Sequence, residues 1–142
     1  MRAESFFNFA TYIDELAQDD PDILNAYGGK SLHQQSHGES FLSLFVNRFS
    51  QGIYILDEPE AALSPNRQLS FMAIIHQLVA ANKAQFIIAT HSPIILCYPN
   101  AVVLSIDDNE IKEIDYREAE HYRLTKEFLD NPERYFHHLF AS

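Results

Sequence analysis

The apolar positions of this chain fall into two periods, the helical 3.6 and the strand period of 2, with short unbroken apolar runs between them. The sharpest run is Ile53-Tyr54-Ile55-Leu56, which Asp57, Glu58 and Pro59 close. A second, Phe86-Ile87-Ile88-Ala89, leads into Thr90-His91-Ser92-Pro93. Between them Pro65 to Asn82 predicts one helix, capped by Ser64, opened by Pro65, apolar at Leu69, Met72, Ile74, Ile75 and Leu78, and ended at Asn82. A strand, helix, strand crossover of this size makes the two strands parallel and puts both carboxyl ends at one sheet edge, where open α/β sheets bind ligands. Asp57, Glu58 and His91 are therefore expected to face one crevice.

The flanks are read in the same way. Phe6, Phe9, Ala10, Ile13 and Leu16 predict an amphipathic helix over 4–16, followed by an acidic loop and hinge at 19–22, broken by Pro21. Phe41, Leu42, Phe45, Val46 and Phe49 predict a second helix, from Ser36 to about Phe49. After His91, Pro93 and Pro99 bracket a short apolar stretch, 101–106 and 111–114 read as a hairpin, and 118–129 reads as a helix. Asn131-Pro132 separates that helix from a last short one containing Tyr135, Phe136 and Leu139. The sum is an α/β fold: a mostly parallel sheet flanked by helices, with a terminal β-hairpin and C-terminal helices.

Composition narrows the setting. The 142 residues, 46% hydrophobic and 13% aromatic, are enough for a core. A formal charge of -10 argues against a nucleic-acid or anionic membrane surface on this segment, so any DNA contact would come from elsewhere. One cysteine, Cys97, rules out an internal disulfide and fits a reducing compartment; it is expected as a small buried apolar residue. No apolar run approaches a membrane span, and acidic and polar residues interrupt the first residues too early for a signal peptide. The expectation is a soluble, cytoplasmic chain without a membrane partner.

Three stretches could carry chemistry. Gly29-Lys30-Ser31 has the end of the phosphate-cradling pattern G-x-x-x-x-G-K-S, but Leu24 stands where the first glycine belongs and no apolar strand feeds it, so it reads as a plain turn. Ser36-His37-Gly38-Glu39 has capping-box spacing, with Ser36 and Glu39 each able to bind the other's backbone amide. The same helix start also offers amides and partial positive charge to a phosphate approaching at Gly38. Asp57-Glu58 is either a solvated strand end or a pair of acids for metal and base chemistry.

Taken in order, these stretches resemble the ATP-binding-cassette-type ATPases, in the acidic variant of the chromosome-maintenance and recombination-repair members. Ser36-His37-Gly38-Glu39 looks like their signature motif, Gly52 to Glu58 like the Walker B strand, Pro59 to Pro65 like the D-loop, and Thr90 to Pro93 like the switch-histidine segment. More narrowly, the chain looks like bacterial predicted ATPases of the AAA type that carry no transport domain. Ser64 stands where many cassettes have the D-loop aspartate, and His37 replaces the first of two glycines.

The resemblance implies a P-loop NTPase-like fold and a single partial ATPase domain over 1–142. Within it, 1–35 would be an N-terminal helix and loop, 36–115 the motif-bearing core, and 116–142 C-terminal helices. It implies ATP and Mg²⁺ as cofactors, Asp57 holding the metal, Glu58 as general base and His91 at the γ-phosphate. Ser36, His37, Gly38 and Glu39 would reach a nucleotide on an opposite subunit, and Ser64 would lie at the dimer contact. Partners implied are a second copy in a nucleotide-sandwiched homodimer, or an N-terminal lobe carrying the phosphate loop that these residues lack. The isolated chain is expected not to hydrolyse ATP. Two other readings stay open: a non-catalytic interaction or dimerisation fragment, and a metal-dependent hydrolase using Asp57, Glu58 and histidines. No HExxH pattern supports the latter, and His33, His76, His121, His137 and His138 read as surface or packed residues.

Overall fold

The computed structural model describes residues 3–27, 29–31, 42–46, 49–107 and 110–141. They fall into two compact units, Met1–Thr90 and His91–Ser142. The first unit contains α1 (Ala3–Asp19), a 3₁₀ helix (Pro21–Tyr27), a helical stretch at 42–46 (α2), β1 (Gly52–Asp57), a 3₁₀ turn (Pro59–Ala62), α3 (Pro65–Ala80) and β2 (Ala84–Ala89). The expected loop at 19–22 is thus reduced to Asp20 alone, between α1 and the 3₁₀ helix. Pro21 opens a helical turn instead of ending structure, because its fixed φ suits a first turn.

β1 and β2 pair in parallel, as the crossover predicts, with Tyr54 opposite Phe86, Leu56 opposite Ile88 and Asp57 opposite Ala89. Their covered face is aromatic. Phe49 stacks on Tyr54 with ring centroids 4.0 Å apart, Tyr54 stacks on Phe86 at 5.2 Å, and Phe45 meets Phe71 of α3 edge-on at 4.8 Å. Phe45 and Phe71 are wholly buried, and among the described residues Ala10, Ile13, Leu44, Leu56, Leu63 and Ile75 are buried apolar residues of the same unit. The tyrosine hydroxyl keeps a polar partner by accepting from the Ser50 amide at 2.9 Å.

The opposite face differs from the helix-flanked sheet expected. Ile53, Ile55 and Ile87 are 69%, 67% and 53% exposed. Strand residues alternate between faces, and among the described residues the sheet of β1 and β2 has two strands only, covered on the Tyr54 and Phe86 side.

α3 buries Ile75 as expected and half-buries Met72, Ile74 and Leu78, but the expected Leu69 faces out. Gln68, Phe71 and Ile75 are buried while Leu69 is 55% exposed. Gln68 is tolerated because its amide donates to the Leu63 carbonyl at 3.2 Å. The helix ends in a Schellman arrangement: Asn82, at φ 52°, donates to the Val79 carbonyl at 2.9 Å and Lys83 to Leu78 at 3.1 Å. The Lys83 carbonyl then accepts from Gly52 at 3.0 Å, so the helix end is tied to the start of β1.

The second unit opens with a four-residue helix, α4 (Pro93–Leu96), followed by β3 (Val103–Asp107) and β4 (Glu110–Ile114), which pair as the anticipated antiparallel hairpin. Buried Ser92 caps α4, its hydroxyl oxygen accepting from the amides of Ile94 and Ile95 at 3.2 and 3.3 Å. A capping box between Asp115 and Glu118 starts the turn at Tyr116–Glu118 that leads into α5 (Glu120–Asp130). Asn131 accepts from the Arg134 amide at 3.4 Å and starts α6 (Pro132–Leu139). Phe128 meets Tyr135 and Phe136 edge-on across the α5–α6 corner. Cys97, expected buried, is exposed, because α4 ends one residue before it.

Candidate functional site

The sheet edge is built by the ladder itself. Opposite Ala89, Asp57 ends β1 half-buried, and the Glu58 amide donates to the Ala89 carbonyl at 2.9 Å, one step beyond the strand. The backbone then turns sharply. Glu58 sits at φ 48°, ψ 53°, in the left-handed region, and Pro59 is buried as the next turn begins. Among the described residues the other non-glycine residues with positive φ are asparagines, Asn82 and Asn100, which adopt this conformation readily. Glutamate does not, and holding it there costs on the order of 1 kcal/mol relative to an ordinary conformation. Such strain marks a position worth examining for function.

Ser64 stands at the N-cap of α3 as anticipated, but its side chain makes no capping hydrogen bond; only its carbonyl serves the helix, accepting from Gln68 at 2.9 Å. The expected side-chain cap is therefore not made. With Pro65 in the first turn, one fewer amide needs a partner there. Ser36, His37, Gly38 and Glu39, and their capping box, lie outside the described residues.

At Gly29-Lys30-Ser31 the structure shows a turn. Gly29 has φ 74° and donates to the Leu24 carbonyl at 2.8 Å, and the Ser31 hydroxyl donates to the Asp14 carboxylate of α1. That hydroxyl serves the fold of the first unit.

His91 is the first residue of the second unit, two residues beyond the end of β2, and belongs to a different unit from Asp57 and Glu58. Within its own unit it has a partner the sequence did not reveal. Its Nδ1 lies 2.9 Å from Nε2 of His121, the second residue of α5, with the rings edge-to-face at 4.5 Å. A separation of thirty positions and the absence of any shared periodicity hid this pair.

Among the described residues no group of three or more His, Cys, Asp or Glu side chains forms a metal cage. Mg²⁺ does not require one, since it commonly takes one or two carboxylates and completes its shell with water and substrate phosphates. A half-buried carboxylate at a sheet edge, Asp57, with Glu58 adjoining, is an oxygen-only donor set that fits this ion.

Residues 31–96 match the family model of the AAA ATPase domain. The matched stretch is a little under half of the chain and takes in Ser36 to Glu39, Asp57, Glu58, Ser64 and His91. It supports an AAA-type ATPase with a nucleotide-binding role. No curated protein and no solved structure matches the chain. Among the described residues no helix is long and apolar enough to cross a membrane.

Proposed function

We propose that this chain contributes part of an ATP-hydrolysing site of the ATP-binding-cassette kind, acting between two copies and completed by a phosphate loop supplied from outside these residues. The observation that carries the reading is the end of β1: two successive acids leave a parallel strand at the edge it shares with the end of β2, the second of them in a left-handed conformation. Asp57 would hold Mg²⁺, which when bound neutralises phosphate charge. Glu58 would orient and deprotonate the attacking water, and His91 would donate a hydrogen bond to the γ-phosphate. Ser36, Gly38 and the helix start after them would offer amide and hydroxyl donors to the partner copy's nucleotide, with His37 and Glu39 beside them and Ser64 near the contact between copies. Phosphoryl transfer needs positioning and charge neutralisation more than covalent chemistry, and these residue types supply both.

The test is ATP turnover by the chain in its native genomic polypeptide context, wild type against Glu58→Gln. Wild type should turn over, and the variant should bind ATP and lose at least about a hundredfold in rate, the usual worth of a positioned general base. Equal rates overturn the assignment. The 142 residues alone should not hydrolyse ATP.

A second reading, an association module without catalysis, draws on a separate observation, the open face of Ile53, Ile55 and Ile87. A stable dimer of the 142 residues in light scattering, with no ATP binding in the native context, would favour it over the ATPase.

A further inference from the structure

We infer that His121 is a positioning residue that fixes the tautomer of His91, keeping its proton on Nε2. The inference rests on the role proposed above for His91 and adds to it a residue that no sequence motif marks. Two ring nitrogens 2.9 Å apart form a hydrogen bond only if one carries a proton and the other does not. For two neutral imidazoles that leaves two arrangements. If His91 donates from Nδ1, its Nε2 is a bare lone pair, which repels a phosphate oxygen. If His121 donates from Nε2, the single proton of His91 is on its own Nε2, which then presents an N–H to an acceptor. Only the second arrangement suits an imidazole that meets phosphate, because phosphate oxygens accept and do not donate.

The local structure favours a fixed partner. His121 is the second residue of α5, so its backbone is set by the helix, whose first turn includes the Arg123 amide donating to the Ala119 carbonyl at 3.0 Å. His91 directly precedes Ser92, the buried cap of α4. Each imidazole therefore hangs from a backbone that the unit holds in place, and the edge-to-face ring contact limits rotation about the shared hydrogen bond. Both histidines are exposed, so the gain is one of orientation and proton placement, with little effect on folding.

The experiment is nitrogen-15 NMR of the histidine-labelled 142-residue chain at about pH 8.5, above the ordinary imidazole range. The wild type should show His91 protonated at Nε2, with Nδ1 unprotonated and accepting from His121. His121→Ala should release it into an exchanging mixture. His121→Gln, whose amide nitrogen can occupy the place of the imidazole Nε2 and still donate, should restore the wild-type pattern. His121→Glu, which can only accept, should move the His91 proton to Nδ1. A His91 spectrum that is the same in wild type and His121→Ala, or a wild-type proton on Nδ1, overturns the inference.

Turnover in the native polypeptide context gives the second arm. His121→Ala should lower it by about three- to tenfold, the worth of one hydrogen bond, and His121→Gln should recover most of the loss. Equal rates for wild type and His121→Ala overturn the positioning role. The spectra need no nucleotide, so failure of the Glu58→Gln test would strike the ATPase reading and leave the tautomer result to be judged by itself.

Discussion

Glu58 combines an acid with a backbone conformation that suits glycine or asparagine better. A residue kept at such a cost is a candidate for work that the alternatives cannot do. The expected outcome is that Glu58→Gly folds at least as stably as the wild type, up to about 1 kcal/mol more so, while β-branched Glu58→Val is less stable by about 1–2 kcal/mol. Urea denaturation of the 142-residue chain measures both. Glu58→Gln leaves the backbone cost where it was, so a loss of turnover in that variant reports chemistry and not folding. Cys97 offers a second residue-level measurement. Desolvation pushes its thiol up from the ordinary value, and the Arg117 guanidinium pulls it part of the way back. Less thiolate is then present at neutral pH than in a free cysteine, so alkylation by iodoacetamide should be slower than for a model thiol and should quicken as pH rises. Arg117→Ala should slow it further at a given pH, and an unchanged rate would show that the guanidinium does not act on the sulfur.

At the scale of elements, α3 shows what the pattern could and could not give. Its span and its proline start were legible because capping and punctuation residues act locally. Its buried face was legible at Ile75 but not in the first turns, since both Leu69 and Phe71 are apolar and only the position of the aromatic stack decides which one turns inward. Phe71, wholly buried against Phe45, should cost about 3–5 kcal/mol on truncation to alanine. Leu69→Ala on the exposed side should stay within about 1 kcal/mol. Equal losses for the two would mean the face is assigned wrongly. The parallel direction of β1 and β2 was legible for a simpler reason: a crossover helix of this length leaves few other connections. The left-handed turn at Glu58 was not, because nothing in the residue type announces it. The His91–His121 pair was equally hidden, being set by how α5 returns within the second unit.

For the whole molecule, charge and apolar surface act in opposite directions. Twenty acidic against ten basic residues keep copies apart at neutral pH, and that repulsion disappears near the isoelectric point of about 5.0. Solubility should therefore be lowest near pH 5 and recover above it. The open face of Ile53, Ile55 and Ile87 favours association at any pH. Replacing all three by threonine, which keeps β-branching, should lower the apparent mass in light scattering if that face mediates contact. An unchanged mass would assign the contact elsewhere. Composition gave the charge at once, whereas the open face depends on which strands are present beside β1 and β2, which no local pattern records.

The left-handed glutamate also has a genetic consequence. Either glutamate codon becomes a glycine codon by a single A-to-G change, so heat-selection of a random mutant library for soluble survivors should recover glycine at this position repeatedly. Selection for the proposed ATP turnover in the same library should discard those clones, and the divergence of the two lists would separate what the fold prefers from what the chemistry demands.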